Sequence, residues 1–489
     1  MRLADVAELL SQPRNPTIDR VELTGVTLDS RGVQSGDLFA ALAGQETHGA
    51  RFASDAVAAG AVAILTDPIG AVDCSTLGVP LLVVDDPRSW LGSVAALAYG
   101  YPGSSMQLIG ITGTNGKTTV AAMVESGLRS AGRTTGMIGT VGIRVADRSF
   151  TGIRTTPEAT DLHAILAVMR DEGVTSVVME VSSIAIDEHR VDGVIYDIAA
   201  FTNLSQDHLD YHGSMDRYFA SKSILFNHTR TRRAVICVDD EWGRRLAATS
   251  DVAIDSWSAE GHDADWTLAA TIDGFVVDGP ERERHALEVS MPGDFNVANA
   301  LCAYVILRRA GVSAVDAASG IAMTSVPGRM QLVESSAGVL GVVDYAHSPE
   351  AIHRVLEAVS AIVSGRIIAV LGAGGDRDRG KRPHMGEIAA RLADVLVITD
   401  DNPRSEDPEL IRSSIRNGAT AIAVVDRAEV IEEADRRRAI AVAVALARAG
   451  DAVVVLGKGH EQGQEVAGVI IPFDDVTALG DAFRRAVRA

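Results

Sequence analysis

Seven consecutive residues, Gly113-Thr114-Asn115-Gly116-Lys117-Thr118-Thr119, combine two glycines, one lysine and neighbouring hydroxyls, the equipment for holding a polyphosphate. Glycines let a backbone approach phosphate oxygens, and the N-terminus of a following helix offers unpaired N–H groups. Lys117 supplies charge and Thr118 can hold Mg2+. The generic phosphate loop carries a glycine five positions before the glycine of its Gly-Lys pair. That position is Ile111 here, with glycines at Gly110 and Gly113 instead. Leu108, Ile109 and Ile111 before the loop read as a buried parallel strand, and the run from Lys117 to Gly132 reads as an amphipathic helix. The stretch is therefore expected to bind a nucleotide.

Further reactive strings follow. Glu180 sits at the carboxyl end of an apolar run from Val174 to Val181, and Asp207, His208, Asp210 and His212 follow a second run from Ile198 to Leu204. An acidic residue at a strand end downstream of a phosphate loop fits a Mg2+ or water-positioning role, although a run of Asp and His after a strand equally serves a capped turn. A helix then carries Tyr218 and Lys222. Arg154-Thr155-Thr156-Pro157-Glu158 occupies a loop before a helix. Asn296 and Asn299, three apart, share a helix face, where they serve either capping or contact with a base or ribose. Asp29-Ser30-Arg31 at a strand end reads alone as a capped turn.

The elements that must position these groups form three α/β units: a small N-terminal domain over 1–98, a central parallel-sheet domain over 99–330, and a doubly wound C-terminal domain over 331–489. In the last, strands are expected to end at Asp344, Leu371, Thr399, Val425 and Leu456. Polar strings follow those ends, where such sheets bind ligands: Asp344-Tyr345-Ala346-His347-Ser348, Gly374 to Pro383, Asp401-Asn402-Pro403-Arg404 and Gly457-Lys458-Gly459-His460-Glu461. Four such strings on one edge imply a shared site. The net charge of −20 argues against a nucleic-acid or anionic-membrane binder. Three scattered cysteines suggest buried reduced thiols and a cytoplasmic setting. No run reaches the roughly 18 apolar residues of a membrane span, and no signal-peptide core opens the chain.

Taken together, DSR with GDLF, GTNGKTT, TTPE, MEVSS, FTNLSQDHLDYHG, GDFNVANA, DYAHSPE, GDRDRGKRP, DNPR and GKGHE resemble, in order, the Mur ligases of the MurE type. The resemblance implies ATP- and Mg2+-dependent amide ligation in peptidoglycan precursor synthesis. The D-Glu γ-carboxylate of UDP-MurNAc-L-Ala-D-Glu would be activated as an acyl phosphate and attacked by a diamino acid. It implies Lys117, Glu180, His208 and Lys222 as catalytic residues, with Thr118, Glu180 and His208 at the metal and Lys222 carbamylated to N6-carboxylysine. Gly113 to Thr119, Asn296, Asn299 and His347 would contact the nucleotide. Ser30 would face the uridine diphosphate, and Thr155, Thr156, Ser182 and Arg190 the muramoyl dipeptide. Arg382, Asp401, Asn402, Pro403, Arg404, Gly457 and Glu461 would form the amino-acid pocket. Arg404 favours meso-diaminopimelate, since a guanidinium fork matches a carboxylate that lysine lacks; L-lysine and L-ornithine are the alternatives. A monomer is expected. One departure stands out: where the family usually reads SSHAL, this chain reads Ser182-Ser183-Ile184-Ala185-Ile186, which admits a weakened or non-catalytic substrate-binding paralogue.

Overall fold

Three separate principal sheets organise the chain. The structure is a computed structural model and describes residues 1–486 other than 14, 45, 153, 272 and 273. Residues 487–489, at the end of the expected C-terminal domain, and 272–273, in the polar strand-like stretch 251–290, therefore lie outside the described residues.

The first sheet is wholly parallel: Gly25–Thr27, Asp37–Ala41, Ala63–Thr66 and Leu81–Val83, side by side in chain order. The second has eleven strands. Its middle is parallel, with Gln107–Thr112 between Ile198–Phe201 and Ser176–Glu180, and antiparallel strands close both edges. Strands in that middle are covered on both faces, which is why they read as continuous apolar runs rather than alternating ones. The helix Lys117–Ser130 packs on one face against the buried helix Asp294–Arg309. The polar stretch 251–290 supplies one antiparallel edge, through Trp266–Thr271, Gly274–Asp278 and Arg284–Leu287.

The third sheet has six strands. Leu340–Asp344, Ile367–Leu371, Val395–Ile398, Glu429–Glu432 and Ala452–Leu456 are parallel, and Gln331–Val333 runs antiparallel at one edge. The last parallel strand in sequence, Ala452–Leu456, sits in the centre, between Leu340–Asp344 and Ile367–Leu371. One expectation is corrected here. No strand ends at Val425: residues Val424–Asp426 form a single 3-10 turn, with Val424 and Val425 75% and 90% exposed. The strand is Glu429–Glu432, an edge strand beside Val395–Ile398. Its charged residues face solvent, where Glu432 meets Arg412 and Arg416, so its apolar signal is weaker than that of the exposed valines before it.

The third unit is pinned internally by a buried ion pair. Arg436 Nε and Nη2 donate to Asp475 Oδ1 and Oδ2 at 2.8 and 2.7 Å, and Nη2 also reaches Leu456 O. Both side chains are fully buried. Removing one partner strands the other charge in a low dielectric, so Asp475→Ala should cost about 3–5 kcal/mol, read from the urea midpoint of this unit. The double change Arg436→Met, Asp475→Leu should restore most of that loss, because an apolar pair of similar volume carries no buried charge.

Candidate functional site

A cleft of ≈ 2540 Å³ lies between the second and third sheets. Its floor is the loop after Gln107–Thr112. Gly113 and Gly116 have φ of 147° and 89°, the left-handed side that favours glycine. A Cβ on Gly116 would run into the Asn299 amide, and one on Gly113 into the Thr202 hydroxyl. The neighbouring strand end braces the loop: Asn115 N donates to Asn203 Oδ1 (3.0 Å), and Thr202 Oγ1 donates to Asn115 O (2.6 Å). Lys117 Nζ folds over the loop onto the carbonyls of Gly113 and Thr114, both at 2.9 Å. Burial pulls its pKa down, and the charges of Glu180 and Asp207 work against that fall. The loop thus presents an ammonium and a helix N-terminus to one space, which is what a polyphosphate requires.

Beside it stands Glu180, buried at its strand end. Its Oε2 accepts from Thr118 Oγ1 (2.9 Å) and Thr140 Oγ1 (3.0 Å), and its Oε1 from Thr140 N (2.7 Å). Thr156 Oγ1 donates to Glu180 O and accepts from Ser182 N, fixing the turn beyond the strand. Thr118 and Glu180 are hard oxygen donors on adjacent elements, and this donor set suits Mg2+. His208, with φ of 52°, lies across the cleft beside Asp207. Burial raises the Asp207 carboxyl, but the charges on His208, His347 and Lys381 outweigh it and hold the group at about 2.

Lys222 is almost wholly buried, its Nζ donating to Gly113 O (3.0 Å) and Thr112 Oγ1 (3.4 Å) above the Tyr218 ring. Burial first, and then repulsion from Lys117, depresses its pKa far below that of an ordinary lysine. Asn296 and Asn299 are also buried, and Asn299 Nδ2 donates to Asn296 Oδ1. His347 is pushed down to about 4, chiefly by burial.

The third sheet closes the other side. Asn402 is held at both ends of its amide: Oδ1 accepts from Lys458 Nζ (2.8 Å) and Glu465 N (2.9 Å), and Nδ2 donates to Glu461 Oε2 (2.8 Å). Lys458, fully buried, also bonds Glu461 Oε2 at 2.9 Å and lies 3.6 Å from Asp401. Glu461 Oε1 makes no hydrogen bond among the described residues. Arg404 Nη1 donates to Gly375 O (2.6 Å) and Nε lies 3.3 Å from Glu465, while Nη2 makes no hydrogen bond among the described residues.

Most of the expected residues line this cleft: Thr114 to Thr119, Thr155, Thr156, Glu180, Ser182, Arg190, His208, Lys222, Asn296, Asn299, His347, Asp401, Asn402, Arg404, Gly457 and Glu461. Four lie off its wall. Gly113 is the first residue of the loop, and Pro403 follows Asn402 in the chain. Arg382 is buried with its guanidinium on Glu406 and Gly374 O. Ser30 belongs to the first unit's Asp29–Arg31 turn, where the Asp29 carboxylate takes the Arg31 N–H and guanidinium.

Several residues went unassigned in the sequence. Thr140 lies between two short strands with no motif around it. Arg329 donates Nη2 to Thr118 Oγ1 at 3.2 Å. Lys458 lies inside GKGHE, whose lysine could have been read as the counter-charge to two acids. Ser183, beside Ile184, bonds His212 Nε2 at 2.9 Å, and His212 Nδ1 lies 3.4 Å from Asp187, so an imidazole holds this turn even with isoleucine at 184.

The chain matches three successive descriptions: Mur ligase family, catalytic domain, over residues 22–99; Mur ligase middle domain over 111–307; and Mur ligase, glutamate ligase domain, over 328–459. A Streptomyces coelicolor protein named UDP-N-acetylmuramoyl-L-alanyl-D-glutamate--2,6-diaminopimelate ligase is 50% identical, over 95% of this chain and 93% of its own. A solved structure of a ligase of that name is 32% identical, spans 99% of both chains and superposes with a TM-score of 0.68. The MurF ligase of Thermotoga maritima, solved with ADP, shares the fold at 20% identity over 96% of this chain and 100% of its own, with a TM-score of 0.65. No helix among the described residues is long and apolar enough to cross a membrane. Three matched domains, near-full-length relatives and one cleft joining a phosphate loop to a third-domain pocket place the chain in the Mur ligase family of ATP-dependent ligases, in its MurE-type branch.

Proposed function

We propose that the protein joins meso-diaminopimelate to the D-Glu γ-carboxylate of UDP-MurNAc-L-Ala-D-Glu at the expense of ATP, in the cytoplasm and as a monomer. The observation that carries this reading is the meeting of Lys117, Glu180 and the Asp401–Asn402–Glu461 group in one cleft. A carboxylate is a poor acyl donor and must first be activated. A γ-carboxylate oxygen attacks the γ-phosphorus of ATP, the bond to ADP breaks, and an acyl phosphate remains. The amine nitrogen then adds to the acyl carbon, the tetrahedral adduct expels phosphate, and the ammonium proton is lost to give the amide.

The protein's part is positioning and charge. Lys117 releases the two loop carbonyls and turns to the phosphates, with Asn296, Asn299 and His347 around the nucleotide. Thr118, Glu180 and His208 would hold Mg2+, which when bound neutralises phosphate charge. Thr155, Thr156, Ser182 and Arg190 orient the dipeptide, while Ser30 faces the uridine diphosphate from the first unit. The division at residues 98 and 330 is supported by the three separate principal sheets.

In the amino-acid pocket, Glu461 Oε1 takes the side-chain ammonium and Arg404 Nη2 the side-chain carboxylate. Arg404→Met should therefore raise KM for meso-diaminopimelate about 10–100-fold, the value of a charge-assisted bond, with KM for ATP unchanged in steady-state assays. The reading itself is tested by phosphate release and product mass, with Mg2+, ATP, the dipeptide nucleotide and one of meso-diaminopimelate, L-lysine or L-ornithine. A tripeptide with diaminopimelate alone supports it. Turnover only with lysine or ornithine overturns the Arg404 assignment, and no product from folded, ATP-binding protein favours the paralogue signalled by Ile184.

A further inference from the structure

We infer that His460 is a positioning residue for phosphoryl transfer: from the third unit it holds the Thr140 carbonyl, and through Thr140 it fixes the Glu180 carboxylate. The inference rests on the reading of Glu180 as a metal-holding residue.

Thr140 is the hub. Its N–H and hydroxyl place both oxygens of Glu180, and its Oγ1 meets Thr155 Oγ1 at 3.1 Å on the wall assigned to the dipeptide. Because that hydroxyl donates to Glu180, it accepts from Thr155. The one polar atom of Thr140 left is its carbonyl, and His460 Nε2 reaches it at 3.1 Å from 320 residues away in sequence. A carbonyl only accepts, so Nε2 carries the hydrogen. Burial lowers the ring to about 4, so near neutral pH it is uncharged and Nδ1 is a bare acceptor. That atom is buried and without a partner among the described residues. One tautomer alone satisfies the contact.

The ring cannot easily turn away. Gly328 and Gly459 both have positive φ, and a Cβ on Gly328 would collide with the backbone of Gly459 and His460. Tyr345 lies against the imidazole at 5.2 Å between centroids, and the Arg329 guanidinium stacks on the same Tyr345 ring at 4.4 Å. Arg329 in turn reaches Thr118 Oγ1. Both hydroxyls that donate to Glu180 Oε2 thus belong to threonines gripped from the junction with the third unit, Thr118 by Arg329 and Thr140 by His460. His460 also directly precedes Glu461 of the amino-acid pocket. The arrangement of the carboxylate therefore depends on whether the Gly457–Glu461 turn is docked.

The test compares His460→Phe, which keeps the ring against Tyr345 but removes the donor, with His460→Gln, which restores one. Mn2+ binding in the presence of a non-hydrolysable ATP analogue is followed by electron paramagnetic resonance, and amide exchange is followed over residues 137–145. His460→Phe should weaken Mn2+ binding about tenfold or more, as expected for loss of an outer partner of a metal ligand. It should also speed exchange over 137–145 while leaving KM for the amino acid within about twofold, and His460→Gln should recover most of the loss. Unchanged Mn2+ affinity and exchange in His460→Phe would overturn the inference, as would weakened binding in both variants with exchange unaltered. Glu180→Gln is the separate control: if it binds Mn2+ like the parent protein, the reading of Glu180 fails, whatever His460 does.

Discussion

Lys117→Ala should lower kcat by about 10²–10³-fold and weaken ATP binding, with the fold intact. The side chain bonds the carbonyls of Gly113 and Thr114 across the loop. Without it the Gly113 carbonyl keeps Lys222 Nζ, and the loop stays braced at Asn115 by Asn203 and Thr202, so little structure depends on the Lys117 ammonium. Lys222, the other lysine bonded to this loop, is buried with its Nζ on Gly113 O and Thr112 Oγ1, so Lys117 is the loop lysine assigned to the charge developing on the transferred phosphoryl group. Removal of one preorganised charge partner costs roughly this much in other enzymes. Circular dichroism and nucleotide titration alongside steady-state rates would check the prediction, and a loss of less than about tenfold would refute it. Lys117→Arg should not rescue, since a planar fork cannot fold into the space a compact ammonium occupies.

Lys222→Ala should cost a comparable factor for a different reason, and short carboxylates should partly restore it. An unmodified ammonium here would stand near Lys117 and the proposed metal position, all of one sign. The protein relieves this by depressing the Lys222 pKa through burial and through Lys117. A lowered pKa means that the free amine survives to lower pH than in an ordinary lysine, and the free amine is the form that adds CO2. Its nitrogen bonds the carbon, a proton leaves, and an anionic carbamate replaces the amine. Activity should therefore fall when enzyme is equilibrated in CO2-free buffer and return with bicarbonate. The bicarbonate requirement should grow as pH drops through the folded pKa and protonates the amine. Lys222→Ala should lose about 10²–10³-fold in kcat. Acetate or formate, entering the vacated space, should recover part of it, whereas Lys117→Ala should show no such recovery. Indifference of the parent enzyme to CO2 removal would refute the carbamate.

The phosphate loop was legible because its chemistry is local: strand, glycines, lysine and helix lie within one short stretch. The four polar strings of the third unit were legible for a related reason, since parallel strands deliver their loops to one edge. What escaped is non-local. Thr140 acquires its role only because a strand pairing brings it over Glu180, and nothing around it in sequence says so. Arg329 looked like part of a boundary, and its partner Thr118 is 211 residues earlier. Lys458 was passed over because a lysine in a loop is normally solvated, whereas here three acceptors draw it fully inside. The misplaced strand at Val425 has the same root. Apolar β-branched residues suggested an element, but pairing with Val395–Ile398 selected the more polar Glu429–Glu432 instead.

The placing of Ala452–Leu456 at the centre of the third sheet bears on how the molecule is made. During synthesis the chain emerges from its first residue onward, and the first two sheets are complete once residue 287 is out. The third sheet has its flanking strands long before its middle, and Leu340–Asp344 and Ile367–Leu371 have no partner in common until residues 452–456 arrive. A nascent or truncated chain can thus carry a finished nucleotide loop while its amino-acid pocket does not exist, because Gly457 and Glu461 follow directly on that last strand. A chain that stops short of Ala452–Leu456 would therefore have no pocket in which to direct an acyl phosphate to its amine.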